Sequence, residues 1–473
     1  MDASRGSPLT TTSLDADSRE GLARAPSREE LLRWDREILW HPFTQMAEYE
    51  PLLIERAEGR TLVDDGGREY LDGVSSLWCN VHGHRHPHLD AALREQLDQV
   101  AHTTALGASN PTSIRLAKRL SDLAPEGLQH VYFSDDGSTA VEVAMKMAFQ
   151  YWRQRENPRP EKTTFAALER AYHGDTLGSV SVGGVARFHA MFQPLLFDVV
   201  RLPCPDTYRL PDGVTADQAL PHYLAAVKSI LAEEHERLAA LVMEPLVQGA
   251  AGMVMHPVGF LRGVRELCDR YDVLLIADEV AVGFGRTGTL FACEQEGVSP
   301  DFLCLAKGIT GGYLPLAATL TTGEVWRAFL GEYVESKSFF HGHTYCGNPL
   351  ASAVALASLE VFEQEQTLQH LPKKADRLAE HLSRLAKLPH VGDTRQRGLI
   401  GAVELVLDRE TKQPLPMEEQ HGARVCLHAR DEGVLLRPLG DVLVVMPPLS
   451  VTLEEIDKIM LALERSIVAV TGA

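Results

Sequence analysis

The chain of 473 residues is long enough for two domains and a substantial hydrophobic core. It carries 46 Lys and Arg against 65 Asp and Glu, and this net charge of −19 argues against nucleic acid or an anionic membrane as a partner. No apolar run approaches the roughly 20 residues that a membrane span needs, so the sequence predicts a cytoplasmic globular protein.

The chain begins with a polar segment, residues 1–28, which is rich in Ser, Thr, Asp and Arg and lacks the apolar core of a secretory signal. We expect a disordered leader there. Residues 29–39 then have the spacing of an amphipathic helix that ends before Pro42. Residues 52–70 predict a small antiparallel piece built around a turn.

Two residue types raise the question of a metal site. The seven cysteines include no CxxC pair, so they predict reduced thiols rather than a disulfide framework or a zinc site: Cys79, Cys204, Cys268, Cys293, Cys304, Cys346 and Cys426. Four histidines alternate along one short segment: His82, His84, His86 and His88. Because glycine and proline interrupt that segment and no acid or thiol completes a ligand set, we expect an irregular segment and no metal.

The middle of the chain alternates short apolar segments with helical spacers. This alternation is typical of an α/β fold with a mostly parallel, doubly wound sheet. The predicted strands are residues 131–134, 164–167, 241–243, 273–277 and 302–305. We expect a large domain over residues 77–345 and a smaller α+β domain built from both chain ends, residues 29–76 and 346–473.

The first predicted strand ends in a candidate anion site, residues 134–139, with the sequence SDDGST. A strong helical pattern over residues 140–150 comes directly after it. Free N–H groups at such a helix start, with the Ser138 and Thr139 hydroxyls, bind phosphate readily. The alternative is an ordinary N-cap formed by Ser138 or Thr139.

Tyr172 follows the next predicted strand, in the sequence YHGD. Its aromatic face can pair with a flat heterocycle, or its hydroxyl can bond a substrate. The alternative for this residue is a place in the hydrophobic core.

The most informative stretch is the apolar run over residues 273–277, which ends in Asp278 and Glu279. Ligands of parallel sheets collect at the carboxyl ends of the strands. Lys307 comes after a second apolar run, residues 302–306, so its amine is expected at the same edge. Pyridoxal phosphate chemistry requires an amine that forms a Schiff base and an acid that keeps a pyridine nitrogen protonated.

A glycine pattern in the same stretch, residues 283–288, fits G-x-G-x-x-G and raises the possibility of a dinucleotide site. In such a site the pattern begins at the strand end. Here Asp278 and Glu279 intervene and would repel a pyrophosphate, so the pattern predicts a tight loop.

Near the chain end, Arg437 lies just beyond a predicted strand, between Leu436 and Pro438. Its guanidinium can clamp a substrate carboxylate with two hydrogen bonds. The alternative is an ion pair within the smaller domain.

Several segments together resemble the class III aminotransferases, a fold type I pyridoxal phosphate family. The stretch IADEVAVGFGRTG with the later Lys307 resembles the family signature. Five further segments resemble the branch of the family that acts on 8-amino-7-oxononanoate in biotin biosynthesis: WHPFTQM, DGVSSLWCNVHGH, YHGDT, FFHGHTYCGNPLA and GVLLRPLGDVLVVMPP. The resemblance extends from about residue 34 to the C-terminus.

The resemblance implies a role for each matching position. Lys307 would form the Schiff base, Asp278 would bond the pyridine nitrogen, and Tyr172 would flank both cofactor and substrate. The remaining positions divide into a phosphate cup (Gly137 and Ser138), a loop that reaches a neighbouring subunit's phosphate in a homodimer (Gly342, His343 and Thr344), a keto-acid clamp (Arg437) and an apolar channel (Trp78).

Two positions depart from the commoner family pattern, which reads HPYT and SSWW. This chain has Phe43 in place of the tyrosine and Leu77 in place of the first tryptophan. Both changes fall where the resemblance implies the pocket for the amino donor. S-adenosylmethionine is the donor that the resemblance implies first, and lysine, used by a branch with similar residues, is the alternative. Another aminotransferase of the same class, acting on an ω-amino acid or diamine, is the runner-up function.

Overall fold

A computed structural model describes residues 25–472 of the chain. The predicted leader therefore lies outside the described residues except for its last four. Contacts divide the chain into two compact units: one ends at Arg56 and also includes Val63–Glu69, and the other comprises Ala57–Leu62 and the chain from Tyr70 onward. The domain boundaries expected at residues 76 and 345 stay a prediction.

The described chain is a mixed α/β protein in which strands and helices alternate through most of its length. The strands are β1 Ile54–Glu58, β2 Thr61–Asp64, β3 Glu69–Asp72, β4 Leu128–Ser134, β5 Thr164–Leu168, β6 Val199–Leu202, β7 Leu238–Met243, β8 Val247–Gln248, β9 Val254–Met255, β10 Leu274–Asp278, β11 Phe302–Leu305, β12 Ala317–Thr322, β13 Val391–Arg397, β14 Ile400–Leu405, β15 Val434–Leu435, β16 Arg437–Leu439 and β17 Val442–Val445. The helices are α1 Arg28–Glu37, α2 Ser75–Trp78, α3 Pro87–Leu97, α4 Pro111–Leu123, α5 Gly137–Gln154, α6 Leu177–Val182, α7 Ala186–His189, α8 Ala219–Glu234, α9 Phe260–Arg270, α10 Gly323–Arg327, α11 Pro349–Gln364, α12 Thr367–Leu385, α13 His421–Asp431 and α14 Leu453–Thr471.

The first unit contains the predicted N-terminal helix. Helix α1 begins one residue earlier than expected because Ser27 caps it: the Ser27 hydroxyl accepts from the Glu30 amide, and the Glu30 carboxylate accepts from the Ser27 amide. This reciprocal pairing satisfies two groups that a helix start leaves open. The existence of the helix is thus confirmed, and its start is fixed by the cap.

The second unit is organised around a seven-stranded sheet with the order β4–β12–β11–β10–β7–β5–β6. Strands β11, β10, β7, β5 and β6 run parallel, whereas β12 runs antiparallel to both of its neighbours. Every residue of β7, β10 and β11 is buried. Such continuous apolar runs form strands that are covered on both faces. The predicted, largely parallel sheet is confirmed.

A second sheet lies toward the C-terminus, with the order β13–β14–β17–β16 and antiparallel pairing throughout. In the chain, helix α12 precedes β13, helix α13 lies between β14 and β15, and helix α14 follows β17. Helix α14 starts with a capping box between Thr452 and Glu455. Strand β15 pairs in parallel with β3, so a strand near the start of this unit joins one near its end.

The alternating histidines form separate contacts. His82 bonds the Ser358 hydroxyl at 3.0 Å, and His84 lies 3.1 Å from the Asp72 carboxylate. His86 and His88 pair with carboxylates near the end of α11, Glu365 at 2.9 Å and Glu360 at 2.6 Å. These contacts tie the irregular segment before α3 to α11 and to β3.

Candidate active site

A cavity of about 780 Å³ lies in the second unit, at the carboxyl ends of the parallel strands. Six of the predicted site residues line it: Trp78, Gly137, Ser138, Tyr172, Asp278 and Lys307. They come from five separate segments of the chain. Five of them lie at or after the ends of strands β4, β5, β10 and β11, at one edge of the sheet, which is the general position of ligand sites in such sheets, and Trp78 joins them from α2.

Lys307 enters the cavity two residues after β11, at the first position of a short 3₁₀ helix, Lys307–Thr310. Its backbone lies in the left-handed region, with φ 46°, which a side-chain-bearing residue adopts only at a cost. The Nζ atom lies 5.2 Å from the centre of the Trp78 ring. Burial lowers the pKa of the Lys307 amine, while Asp278 and Glu244 act in the opposite direction. A lysine with a lowered pKa has a larger neutral fraction, the form that acts as nucleophile or base.

Asp278 is the last residue of β10, and its carboxylate is almost completely buried. Oδ2 lies 2.7 Å from Nδ1 of His173, and Oδ1 accepts a hydrogen bond from the Val280 amide at 3.0 Å. Each oxygen therefore has one donor and retains capacity for another. A carboxylate held in this way can accept a hydrogen bond from a protonated ring nitrogen in the cavity.

Glu244 comes one residue after β7 and adds a second buried carboxylate to the cavity lining. It accepts hydrogen bonds from the amides of Tyr172, at 3.1 Å, and Gly249, at 2.8 Å. Burial raises the pKa of Glu244 to about 7, with His173 opposing and Asp278 adding to that shift.

Tyr172 lines the cavity and is not a core residue. Its hydroxyl donates to the Asp175 carboxylate at 2.6 Å. Burial and this carboxylate raise the pKa of Tyr172 well above its ordinary value, so the hydroxyl stays protonated. The side chain presents an aromatic face and a fixed hydroxyl to whatever the cavity binds.

The start of α5 forms an anion cradle. Asp136 caps the helix through the Thr139 amide at 2.9 Å, so the alternative of an N-cap formed by Ser138 or Thr139 is wrong. Asp136 takes that place because its carboxylate reaches the third amide of the helix. The amides of Gly137 and Ser138 lie in the first turn of α5, where no earlier helical carbonyl can accept a hydrogen bond from them. They are therefore available to a ligand.

Close packing around Ser138 fixes this cradle. The Ser138 hydroxyl accepts from the Asp175 amide at 2.8 Å. Gly174 has φ +114°, and a Cβ there would lie 1.7 Å from Ser138 Oγ. A Cβ on Gly137 would lie 2.6 Å from Cγ1 of Val280. Glycine is required at both positions because no larger residue leaves room for this approach.

Trp78 reaches the cavity through a strained segment. In α2, Ser75, Ser76 and Trp78 all have positive φ. The buried Asp72 carboxylate holds this segment, accepting from the Ser76 amide at 2.8 and 2.9 Å. Strained residues that are held in place by neighbours cluster at functional sites.

Glu279, the second carboxylate of the informative stretch, does not line the cavity. It accepts from the amides of Ala292, at 2.6 Å, and Cys293, at 2.8 Å, and burial raises its pKa to about 7. Residue 279 turns away from the crevice because successive residues of a strand point to opposite faces. Its role is to hold a short helix in the loop after β10.

The glycine pattern at residues 283–288 forms a series of turns after β10 and does not open a helix. Arg286 anchors it, donating to the carbonyls of Pro447 at 2.6 Å and Asn80 at 2.8 Å. The tight loop that we expected is confirmed, and the dinucleotide site is excluded because residues 283–288 lack the required helix start.

The remaining predicted site residues do not line this cavity. Within the second unit they are Leu77, Gly342, His343, Thr344 and Arg437. Leu77 and Thr344 are exposed, and His343 Nδ1 lies 2.8 Å from the carboxylate of Asp135, a lining residue. Phe43 belongs to the first unit, where it is exposed with φ 53°.

Arg437 begins β16 and pairs with Val444 of β17. Among the residues that the structure describes, no carboxylate forms an ion pair with it, which contradicts the alternative of an ion pair within the smaller domain. A guanidinium without an internal partner is available to a ligand.

The structure adds two functional candidates that sequence reasoning missed, His173 and Glu244. Glu244 had a signal, since it comes after an apolar strand in the way Asp278 does. His173 had none, because only the fold brings it to Asp278.

The residues that line the cavity fit pyridoxal phosphate. It combines a lysine whose pKa burial lowers, a carboxylate with spare acceptor capacity, an aromatic side chain and a helix start with open amides, all in one cavity. The described residues contain no group of three His, Cys, Asp or Glu that could hold a metal ion, and they contain no helix suited to crossing a membrane.

Comparison with known proteins agrees with this geometry. Residues 44–467 match the family model described as Aminotransferase class-III. A relative from Geobacter sulfurreducens, named adenosylmethionine-8-amino-7-oxononanoate aminotransferase, is 55% identical over 443 residues, which cover 93% of this chain and 97% of the relative. A relative of the same name from Aquifex aeolicus is 53% identical over 434 residues, covering 91% and 95%.

Solved structures give the same picture. The crystal structure of adenosylmethionine-8-amino-7-oxononanoate aminotransferase from Methanocaldococcus jannaschii has a TM-score of 0.88 at 43% identity and covers 94% of this chain and 100% of its own. An omega-transaminase from Thermomicrobium roseum has a TM-score of 0.89 at 34% identity, covering 94% and 99%. A PLP-bound amine transaminase from an uncultivated Pseudomonas species has a TM-score of 0.88 at 38% identity, covering 92% and 99%.

Proposed function

The chain belongs to the class III aminotransferases, and on that premise we propose that it converts 8-amino-7-oxononanoate to 7,8-diaminononanoate, the transamination of biotin biosynthesis. The cofactor is pyridoxal 5′-phosphate. The observation that carries the chemistry is the shared cavity of Lys307 and Asp278. The substrate assignment is supported by relatives of that name, 55% and 53% identical over more than nine-tenths of the chain.

Residues of this chain supply the binding of the cofactor. Gly137 and Ser138 would hold the phosphate through their amides at the start of α5. Asp278 would accept a hydrogen bond from the protonated pyridine nitrogen, and Tyr172 would offer its aromatic face to the ring. When bound, pyridoxal phosphate supplies an electron sink for the carbon that gives or receives the amino group.

Lys307 performs the proton transfers. Its amine would hold the cofactor covalently in the cavity. Its Nζ would accept a proton from the donor carbon as a base and deliver that proton to the cofactor as an acid. Burial supports this role because it lowers the pKa of the amine and so increases the neutral fraction near neutral pH.

Arg437 binds the distal carboxylate of the keto acid. No carboxylate among the described residues forms an ion pair with Arg437. Because a half-buried guanidinium is stabilised by a carboxylate partner, this absence supports a role in which the substrate supplies that carboxylate. Trp78 gives the aliphatic chain an apolar wall inside the cavity.

The active form is a homodimer with shared sites, in which Gly342, His343 and Thr344 reach the partner's cofactor phosphate. The exposure of Gly342 and Thr344 in the single chain supports this proposal, because nothing in the described part of their own subunit covers them. The enzyme acts in the cytoplasm, which agrees with seven cysteines that are all unpaired.

S-adenosylmethionine is the amino donor, as the names of the relatives suggest. The alternative is lysine, favoured by Phe43 and Leu77 at the two positions that depart from the commoner pattern. A second candidate function, transamination of an ω-amino acid or diamine, is favoured by the likeness to the omega-transaminase.

One assay distinguishes the two amino donors and tests the second candidate function. Purified protein is supplied with 8-amino-7-oxononanoate and either S-adenosylmethionine or lysine, and with pyruvate in place of the oxononanoate as the competing acceptor. We expect diaminononanoate with S-adenosylmethionine. Product with lysine and none with S-adenosylmethionine would show that lysine is the donor. Turnover of pyruvate without turnover of the oxononanoate would contradict the proposed function and support the second candidate.

A further inference from the structure

His173 is the buried partner of Asp278, and neither the family match nor the names of the relatives give it a role. Its side chain has no exposed surface, and Nδ1 lies 2.7 Å from Oδ2 of Asp278. The contact joins the loop after β5 to the last residue of β10. A histidine and an aspartate at this distance share a hydrogen bond that is strengthened by charge.

The geometry fixes which nitrogen of His173 carries hydrogen. An ionised carboxylate can only accept, so Nδ1 must be the donor. Nε2 is buried and, among the described residues, has no hydrogen-bond partner. Among the described residues Asp278 is therefore the one side chain that forms a hydrogen bond with the ring, and the ring presents its N–H to one oxygen of that carboxylate.

The backbone around His173 is clamped on both sides. The preceding amide, of Tyr172, donates to Glu244 at 3.1 Å, and the amide of Asp175 donates to Ser138 at 2.8 Å. The loop that carries His173 is thus attached to a cavity carboxylate and to the anion cradle. His173 is placed by the same contacts that shape the cofactor site.

We infer that His173 is a positioning residue, which donates from Nδ1 to Asp278 and so keeps that carboxylate oriented toward the site of the cofactor's ring nitrogen. Val280 supplies the second donor, to Oδ1. With both oxygens held, the carboxylate cannot rotate away from the cavity. The inference rests on the proposed function and adds to it a residue that acts through another.

The test uses two variants with different donors. In His173→Asn the amide nitrogen replaces Nδ1, so the donor to Asp278 is kept. In His173→Gln the amide nitrogen falls nearer the Nε2 position, and the donor to Asp278 is lost. Measurements are the melting temperature of each apoprotein, the Kd for pyridoxal phosphate, and the pH at which the visible absorbance of the bound cofactor changes.

We expect His173→Asn to bind pyridoxal phosphate within about threefold of wild type, and His173→Gln to bind at least about tenfold more weakly, since a hydrogen bond to a charged group is lost. The absorbance transition should move in His173→Gln and stay in His173→Asn. If both variants match wild type, or both are impaired alike, the donor role is overturned.

Failure of the proposed function would look different. Wild-type protein that binds no pyridoxal phosphate would refute the cofactor and with it the function. Wild-type and His173→Gln proteins with equal Kd and equal absorbance transitions would refute only the role of His173. A kcat that falls in His173→Gln while KM for the keto acid is unchanged further separates positioning from substrate binding.

Discussion

Asp278 of β10 pairs in register with Cys304 of β11, three residues before Lys307, and this register delivers the carboxylate and the amine to one cavity. The two strands are parallel neighbours, so their ends open at the same edge of the sheet. Two residues that are 29 positions apart in sequence thereby line the same cavity. Changes to either group should therefore affect the same bound molecule.

Lys307→Ala should abolish turnover and the visible absorbance of the bound cofactor, because no other amine of the described residues replaces Nζ in the cavity. Absorbance spectra and an assay with the oxononanoate measure both effects. Lys228→Ala is the matched control, since Lys228 is exposed on α8, lies outside the cavity lining and should keep wild-type behaviour. Full activity of the Lys307→Ala protein would refute its assigned role.

Arg437→Ala should raise KM for the keto acid at least about tenfold while leaving the cofactor spectrum unchanged, because a charged hydrogen-bond partner of the substrate is lost. Steady-state kinetics with varied keto acid measure this. Arg424→Ala removes an exposed arginine of α13 and serves as the control. An unaltered KM in Arg437→Ala would remove the clamp assignment.

Gly174→Ala should weaken the binding of pyridoxal phosphate, because the new Cβ would lie 1.7 Å from Ser138 Oγ and would push the anion cradle apart. Titration of the apoprotein measures the Kd. Gly213→Ala is matched in having φ +77° with nothing within 4 Å. It should lose only about 1 kcal/mol of stability from the left-handed backbone. Equal cofactor affinity in both variants would show that the cradle tolerates the change.

Stability should fall in mild acid because of His256, which is buried against Phe260 with both ring nitrogens unpartnered among the described residues. Burial lowers the pKa of His256 to about 3. The unfolded chain binds a proton below about pH 6.5 and the folded chain does not until about pH 3, so stability declines as the pH falls through that window. At pH 5 this histidine should cost about 2 kcal/mol.

Chemical denaturation at pH 7 and pH 5 measures this effect in wild type and in His256→Leu. The variant should lose about 2 kcal/mol less than wild type on acidification. His222→Leu, at an exposed position of α8, is the control and should behave as wild type does. Identical acid sensitivity in all three proteins would refute the contribution of His256.

The sequence predicted those parts of the site that depend on a local rule. Asp278 and Lys307 each come after an apolar strand, and residues that leave the strands of a parallel sheet gather at its carboxyl edge. The anion cradle was predicted in the same way from a strand that leads into a helix. The positions of the candidate anion site, the carboxylate and the amine all depend on that one rule.

Other features depend on contacts between distant segments and could not be predicted. His173 contacts Asp278, which is 105 positions away in sequence, and no pattern in the chain predicts that contact. Strand β12, which runs antiparallel, was not predicted because its sequence, AATLTT, lacks the continuous run of large apolar residues that marks β7, β10 and β11. Glu279 was grouped with Asp278, although the alternation of a strand sends the two carboxylates to opposite sides.

The helix cap at Asp136 shows a third limit. Ser138, Thr139 and Asp136 are all good cap residues, and their types alone provide no reason to choose among them. The choice is made where the chain leaves β4, which places Asp136 in an extended conformation with its carboxylate over the Thr139 amide. The cap thereby leaves the Ser138 hydroxyl to Asp175.

The most direct test of the proposed chemistry is to identify the lysine that carries the cofactor. The purified protein is incubated with pyridoxal phosphate, reduced with borohydride to fix the cofactor to its lysine, digested and analysed by mass spectrometry. We predict one modified peptide, carrying the cofactor on Lys307. Modification of another lysine, such as the buried Lys162, whose pKa burial lowers to about 8, with Lys307 unmodified, would contradict the assignment.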